Sequence, residues 1–90
     1  MSTFSRLEFD VMDEVYFMSS FKQIAANTKA STEELTQTLI SLLQNEFIQQ
    51  LIYNPVINDF EKMDKYDEAQ LTTASYVATR KGLLAHNSSN

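Results

Sequence analysis

Apolar residues recur at helical spacing near the start of the chain. Phe4, Leu7, Val11, Val15 and Met18 share one face, which predicts a first helix over 4–18. Phe9, Met12 and Tyr16 form a second stripe on roughly the opposite side, with Glu8, Asp10, Asp13 and Glu14 elsewhere on the surface. A helix that is apolar on two sides must be covered on both. Either the rest of the domain covers the second stripe or another subunit does. Phe9, Met12 and Tyr16 are therefore a candidate dimer or partner interface.

A short second helix is expected over 21–27. Ser20 is placed to cap it, Gln23 completes a capping-box pattern, and Ile24 and Ala25 face the core. Asn27 to Ala30 reads as a turn. The third helix, 32–44, has the clearest start: Ser31-Thr32-Glu33-Glu34 is a capping box of the S-x-x-E type. Leu35, Leu39, Leu42 and Leu43 form its buried stripe, and Glu33, Gln37, Ser41 and Gln44 its exposed face. Asn45 is the expected left-handed residue at its end.

From Phe47 the period shortens. Residues 47–53 are rich in strand formers, and Pro55 stops the run after an extended Asn54. A second strand is expected over 74–78, and the two strands should pair as an antiparallel hairpin. The connection between them, 55–73, carries five acids against two lysines, and a helical turn or two is expected within 59–71. Thr79 is placed to cap a last short helix, 79–86. The pattern predicts an α+β, mainly α domain: three helices, a two-stranded antiparallel unit and a short terminal helix around one core.

Ninety residues fit one domain, 1–90, and 43% hydrophobic content supplies a core. The absence of Cys excludes a disulfide framework and suits a reducing cytoplasm. Residues 1–6 lack a signal-peptide pattern, and no apolar run approaches the roughly 20 residues of a membrane span. The expected location is cytoplasmic, with no membrane partner. The net charge of −5 works against a duplex-DNA partner unless the few cations cluster.

Three stretches resemble a winged-helix DNA-binding domain of the bacterial transcriptional-regulator type. Residues 21–31, followed by 32–44, are similar to its short helix, tight turn and recognition helix. Residues 42–48 resemble the passage from the recognition helix into the first wing strand. Tyr76-Val77-Ala78-Thr79-Arg80-Lys81-Gly82-Leu83-Leu84 resembles the family's closing segment, "Tyr-x-Leu-Thr-x-x-Gly-x-x-Leu". The chain departs from the pattern at Lys29 and at Asn45-Glu46, where relatives place Gly, and in its long acidic wing, 47–78.

The resemblance implies a recognition helix in the major groove of double-stranded DNA. Thr32, Thr36, Gln37 and Ser41 would then meet bases or phosphates, and Lys22, Lys29, Arg80 and Lys81 would contact phosphates. A homodimer is expected of such a regulator, and the second apolar stripe offers the first helix as the surface for it or for a protein partner. The alternative is a winged-helix protein-interaction or dimerisation module that binds no DNA, favoured by the acidic charge and the acidic wing.

No enzyme chemistry is expected. His86 stands alone, so no usual zinc site can form. Asp59, Glu61, Asp64, Asp67 and Glu68 lack calcium-loop spacing. Gly82 is the only glycine, which excludes a glycine-rich phosphate loop. No cofactor and no metal are expected.

Overall fold

The computed structural model describes residues 4–88, so the N-terminal tripeptide used in the signal-peptide reading lies outside the described residues. The chain runs α1 (Arg6–Glu14), β1 (Ser19–Ser20), α2 (Phe21–Thr28), α3 (Thr32–Gln44), β2 (Ile48–Asn54), β3 (Asp59–Lys62), a 3-10 turn (Glu68–Gln70), β4 (Ser75–Ala78) and α4 (Arg80–Asn87). It is an α+β domain with four α-helices and one four-stranded antiparallel sheet in the order β1-β4-β2-β3.

The first helix is shorter than its periodicity suggests. Ser5 and Glu8 form a capping box at its start, and it ends at Glu14. The Ser19 hydroxyl donates to the Glu14 carbonyl at 2.7 Å and turns the chain toward the sheet. Ser19 and Ser20 then pair with Tyr76 and Ser75, and the Ala78 amide donates to the Val15 carbonyl at 2.8 Å. Sheet pairing thus overrides the helical spacing that continued to Met18. Two serines carry little strand propensity, so β1 exists through its partner alone.

The second and third helices start at their predicted caps. Ser20 accepts from the Gln23 amide, and Ser31 with Glu34 forms the reciprocal box. Lys29 takes the left-handed conformation between them, at φ 60°. At the end of α3 it is Glu46 (φ 61°), not Asn45, that is left-handed. The Glu46 amide donates to the Leu43 carbonyl at 3.0 Å and the Phe47 amide to the Leu42 carbonyl at 2.9 Å. These two bonds make a Schellman motif, which places the left-handed residue one step beyond the cap.

Strands β2 and β4 pair antiparallel as expected, from Ile48 opposite Ala78 to Leu51 opposite Ser75. The two-stranded picture is incomplete, however. After a turn at 55–58 the chain doubles back as β3, with Tyr53 opposite Phe60. All four β3 residues are exposed, so they carry no alternation that would mark a strand. Only the Glu68–Gln70 turn answers the helical expectation within 59–71.

One core lies between the helices and the inner face of the sheet. Val11, Met12, Val15, Ile24, Leu35, Leu39, Leu42 and Tyr76 are fully buried. Each aliphatic side chain of this kind contributes about 1.5–3 kcal/mol over leaving it exposed. Tyr76 donates its hydroxyl to the Leu71 carbonyl at 2.7 Å, so its buried polar end is satisfied. Helix α4, capped by Thr79, packs on α1 and β4 and closes the domain. Gly82 sits so close to β2 that a Cβ there would lie 1.9 Å from the Phe47 carbonyl oxygen.

Candidate functional site

The capping box that starts α3 also sets the charge of its polar face. Glu34 is held at Ser31, and Glu33 stands beside it in the first turn. Across from them, Glu8 of α1 accepts from the Ser41 hydroxyl at 3.0 Å. Ser41 is therefore bound within the domain. Thr36 donates to the Glu33 carbonyl at 2.9 Å, while Thr32 and Gln37 stay exposed. Gln37, Thr38 and Ser41 share a shallow concavity of about 350 Å³ with Glu8 and Glu34, so two carboxylates flank the expected reading face.

The cations expected to position a duplex are dispersed. Lys22 and Lys29 are exposed on α2 and at the turn before α3. Arg80 and Lys81 lie at the far end of α3, whose thirteen residues span roughly 20 Å. Lys81 is committed there: its Nζ donates to the Asn45 carbonyl at 2.8 Å and lies 5.0 Å from the centre of the Phe47 ring. Thr79 holds the next two carbonyls, donating from its hydroxyl to Glu46 at 2.6 Å and from its amide to Phe47 at 3.0 Å. A lysine at a helix C-terminus also favours the macrodipole, which gives Lys81 a structural role.

The second stripe of the first helix is covered in part from within the domain. Met12 is fully buried in the core, which removes it from the candidate partner interface. Phe9 is half-buried against His86, with ring centroids 4.3 Å apart. Tyr16 is 41% exposed, and its hydroxyl meets His86 Nδ1 and Asn87 Oδ1, each at 2.8 Å. The cover is α4, and the packing of Gly82 brings that helix close enough to provide it.

A further exposed apolar surface is one that the sequence reading passed over. The turn between β2 and β3 exposes Val56 at 90% and Ile57 at 56%, with Tyr53 and Phe60 stacked edge-to-face behind them at 5.5 Å. The turn is held by its own polar groups. The Val56 amide donates to Asn54 Oδ1 at 2.9 Å, the Tyr53 hydroxyl bonds Asn58, and Asn54 bonds Glu61. Asp59 takes the Phe60 amide at 2.8 Å, which shields part of the open edge of β3. The available signal was an apolar pair between Pro55 and Asn58, inside a stretch otherwise read as a polar loop.

Asp67 anchors the return from β3 to β4. Its carboxylate accepts from the Gln70 side chain and the Ala69 amide, which hold it below the usual carboxylate range. Among the described residues, no group of His, Asp and Glu is placed to hold a metal ion, and no helix is long and apolar enough to cross a membrane. No family model, curated protein or solved structure matches the chain.

Proposed function

We propose that this chain is a winged-helix domain that works by binding protein through its wing. The fold reading draws support from three helices followed by the β2–β4 pair, with β1 inserted between α1 and α2 as a third strand. In this reading β3 is an elaboration of the wing.

The bond from Ser41 to Glu8 carries the functional reading. It brings a carboxylate from α1 onto the face of α3 that would enter a groove, beside Glu33 and Glu34. Carboxylates facing phosphates oppose the sequence-independent attraction on which DNA affinity largely rests. The wing tip offers the opposite chemistry: a turn fixed by its own hydrogen bonds that presents two branched apolar side chains. A preordered apolar element loses little conformational entropy on association.

Two measurements test this. Labelled duplex titrated at low salt should show no binding up to high micromolar protein. A photo-crosslinking residue at position 56 should give protein adducts in cells, while one at position 37 should not. Salt-sensitive duplex binding, or adducts at 37 and none at 56, would overturn the proposal.

A second reading, the DNA-binding domain of a transcriptional regulator, is favoured by Lys22 and Lys29. Both are exposed, Lys22 in the first turn of α2 and Lys29 at the turn before α3. Under that reading log affinity falls by about 0.9 per contacted phosphate for each log unit of salt, and replacing either lysine by alanine lowers the slope.

A further inference from the structure

Between the end of α3 and the connection that follows β3 lies a concavity of about 390 Å³. Its floor is apolar: Leu43 from α3, Ile48 from β2 and Met63 just after β3. Tyr66 lines one wall, and its hydroxyl meets the Gln44 side-chain amide at 3.3 Å, which ties the connection to α3. Glu46, Asp64 and Lys65 complete the rim. All three are exposed, and their side-chain charges have no hydrogen-bond or ion-pair partner among the described residues.

Glu46 sets this concavity apart. It is left-handed at φ 61°, a conformation that glycine takes without strain and a glutamate does not. Its backbone is held there from both sides: the amide donates to the Leu43 carbonyl at 3.0 Å, and the carbonyl accepts from the Thr79 hydroxyl at 2.6 Å. The helix end needs only the backbone of this residue, so the carboxylate is free for a contact outside the domain.

Met63 also lines a second concavity, of about 230 Å³, which reaches Pro55 at the apolar turn and includes Glu61. The two follow one another along β2, from Ile48 to Asn54, a span of roughly 20 Å. Together they carry three carboxylates, Glu46, Glu61 and Asp64, against Lys65 alone. The elongated shape suits a segment of chain, and the charge suits a basic one.

Building on the protein-binding reading of the wing, we propose that this surface receives a basic, extended segment of a partner protein, and that an arginine of that segment anchors in the concavity beside Tyr66. A guanidinium fits the groups present. Its plane stacks on an aromatic ring and pairs in a fork with a carboxylate, and its aliphatic stem covers apolar surface. Glu46 and Asp64 against Lys65 leave one negative charge for it to neutralise. A second copy of this chain is a poorer occupant, because two chains of net charge −5 repel one another.

The test uses the full chain and a short labelled peptide of alternating arginine and leucine. A lysine version and a citrulline version accompany it; citrulline keeps the shape of arginine and loses its charge. Amide shift changes should fall on 43–50 and 63–66. Anisotropy should show about tenfold weaker binding of the citrulline peptide, with the lysine peptide between. Glu46→Gln with Asp64→Asn alters exposed side chains only and should weaken the arginine peptide about tenfold. Glu33→Gln with Asp10→Asn removes the same charge elsewhere and should weaken it less than about twofold. Equal losses in the two double variants, or equal binding of the arginine and lysine peptides, would overturn the arginine anchor. Self-association of the chain that is lost in Glu46→Gln would assign the concavity to a second copy and overturn the proposal.

In cells, crosslinked adducts at position 56 should diminish in the Glu46→Gln, Asp64→Asn variant. Adducts that persist undiminished overturn the role of the concavity and leave the wing reading standing. Absence of adducts at 56 from the wild type overturns the wing reading, and with it a protein partner for the concavity.

Discussion

The side chain of Gln50 grips the backbone of Asp67 at both of its polar groups. Gln50 Nε2 donates to the Asp67 carbonyl at 3.1 Å, and the Asp67 amide donates to Gln50 Oε1 at 2.7 Å. Gln50 is 1% exposed on β2, opposite Tyr76 of β4. One buried amide therefore fastens the acidic connection between β3 and β4 to the middle of the sheet. Gln50→Leu keeps the volume but removes both partners of Asp67. It should cost about 1–3 kcal/mol in urea unfolding and make the 63–70 segment sensitive to protease. Unchanged stability and protease resistance would show that Asp67 finds other partners.

Gly82→Ala pits helix propensity against packing. Alanine is favoured over glycine within a helix by about 1 kcal/mol. Its methyl group would lie 1.9 Å from the Phe47 carbonyl oxygen and 3.0 Å from the end of Met12. The carbonyl is held by the Thr79 amide and cannot step aside without breaking that bond. Packing should win, with a net loss of about 1–3 kcal/mol measured by thermal unfolding. A higher melting temperature would refute the close approach.

Tyr76 makes the fold sensitive to base. Burial pushes its phenol up from 10.0 to about 12, partly offset by hydrogen bonding with Gln50. The folded state holds the proton more tightly than the unfolded chain does. The stability this contributes is intact below pH 10 and is lost as pH rises toward about 12. Urea midpoints measured across that window should fall steeply for the wild type and less steeply for Tyr76→Phe. Equal slopes would place the alkaline sensitivity elsewhere.

The end of α3 gives a local prediction with a built-in control. Glu46 carries the left-handed backbone, whereas Asn45 is at φ −88°. Glu46→Gly should raise stability by about 1 kcal/mol, because the side chain that disfavours this conformation is removed. Asn45→Gly should not, since it places glycine in an ordinary conformation and discards the bond from the Asn45 side chain to the Ser41 carbonyl. Calorimetry of the two variants distinguishes them, and the opposite ranking would contradict the Schellman geometry.

The elements legible in the sequence are those whose signals are local. Ser20, Ser31 and Thr79 mark the starts of α2, α3 and α4, and Leu35, Leu39 and Leu42 mark the face that α3 buries. The elements missed owe their structure to the strands they pair with rather than to signals of their own. Ser19–Ser20 is a strand because Tyr76 and Ser75 lie beside it, and Asp59–Lys62 because Asn54 to Leu51 does. The candidate surfaces divide in the same way. Lys22, Lys29 and Gln37 are exposed as their helical positions imply, but periodicity does not reveal that Ser41 is bound to Glu8 or that Lys81 caps α3. The two stripes of the first helix were visible, while the identity of the cover, α4, depended on how closely Gly82 lets that helix approach.

The carbonyls at the end of α3 have a consequence for the order of synthesis. Asn45, Glu46 and Phe47 receive their donors from Thr79 and Lys81, which are translated more than thirty residues later. While the chain is still growing, the last turn of α3 lacks these donors and the apolar side of α1 lacks its cover. Folding that depends on such distant contacts is slow to nucleate. Completion of the domain therefore waits on the segment from Thr79 to His86, which supplies both the donors for these carbonyls and part of the cover of α1.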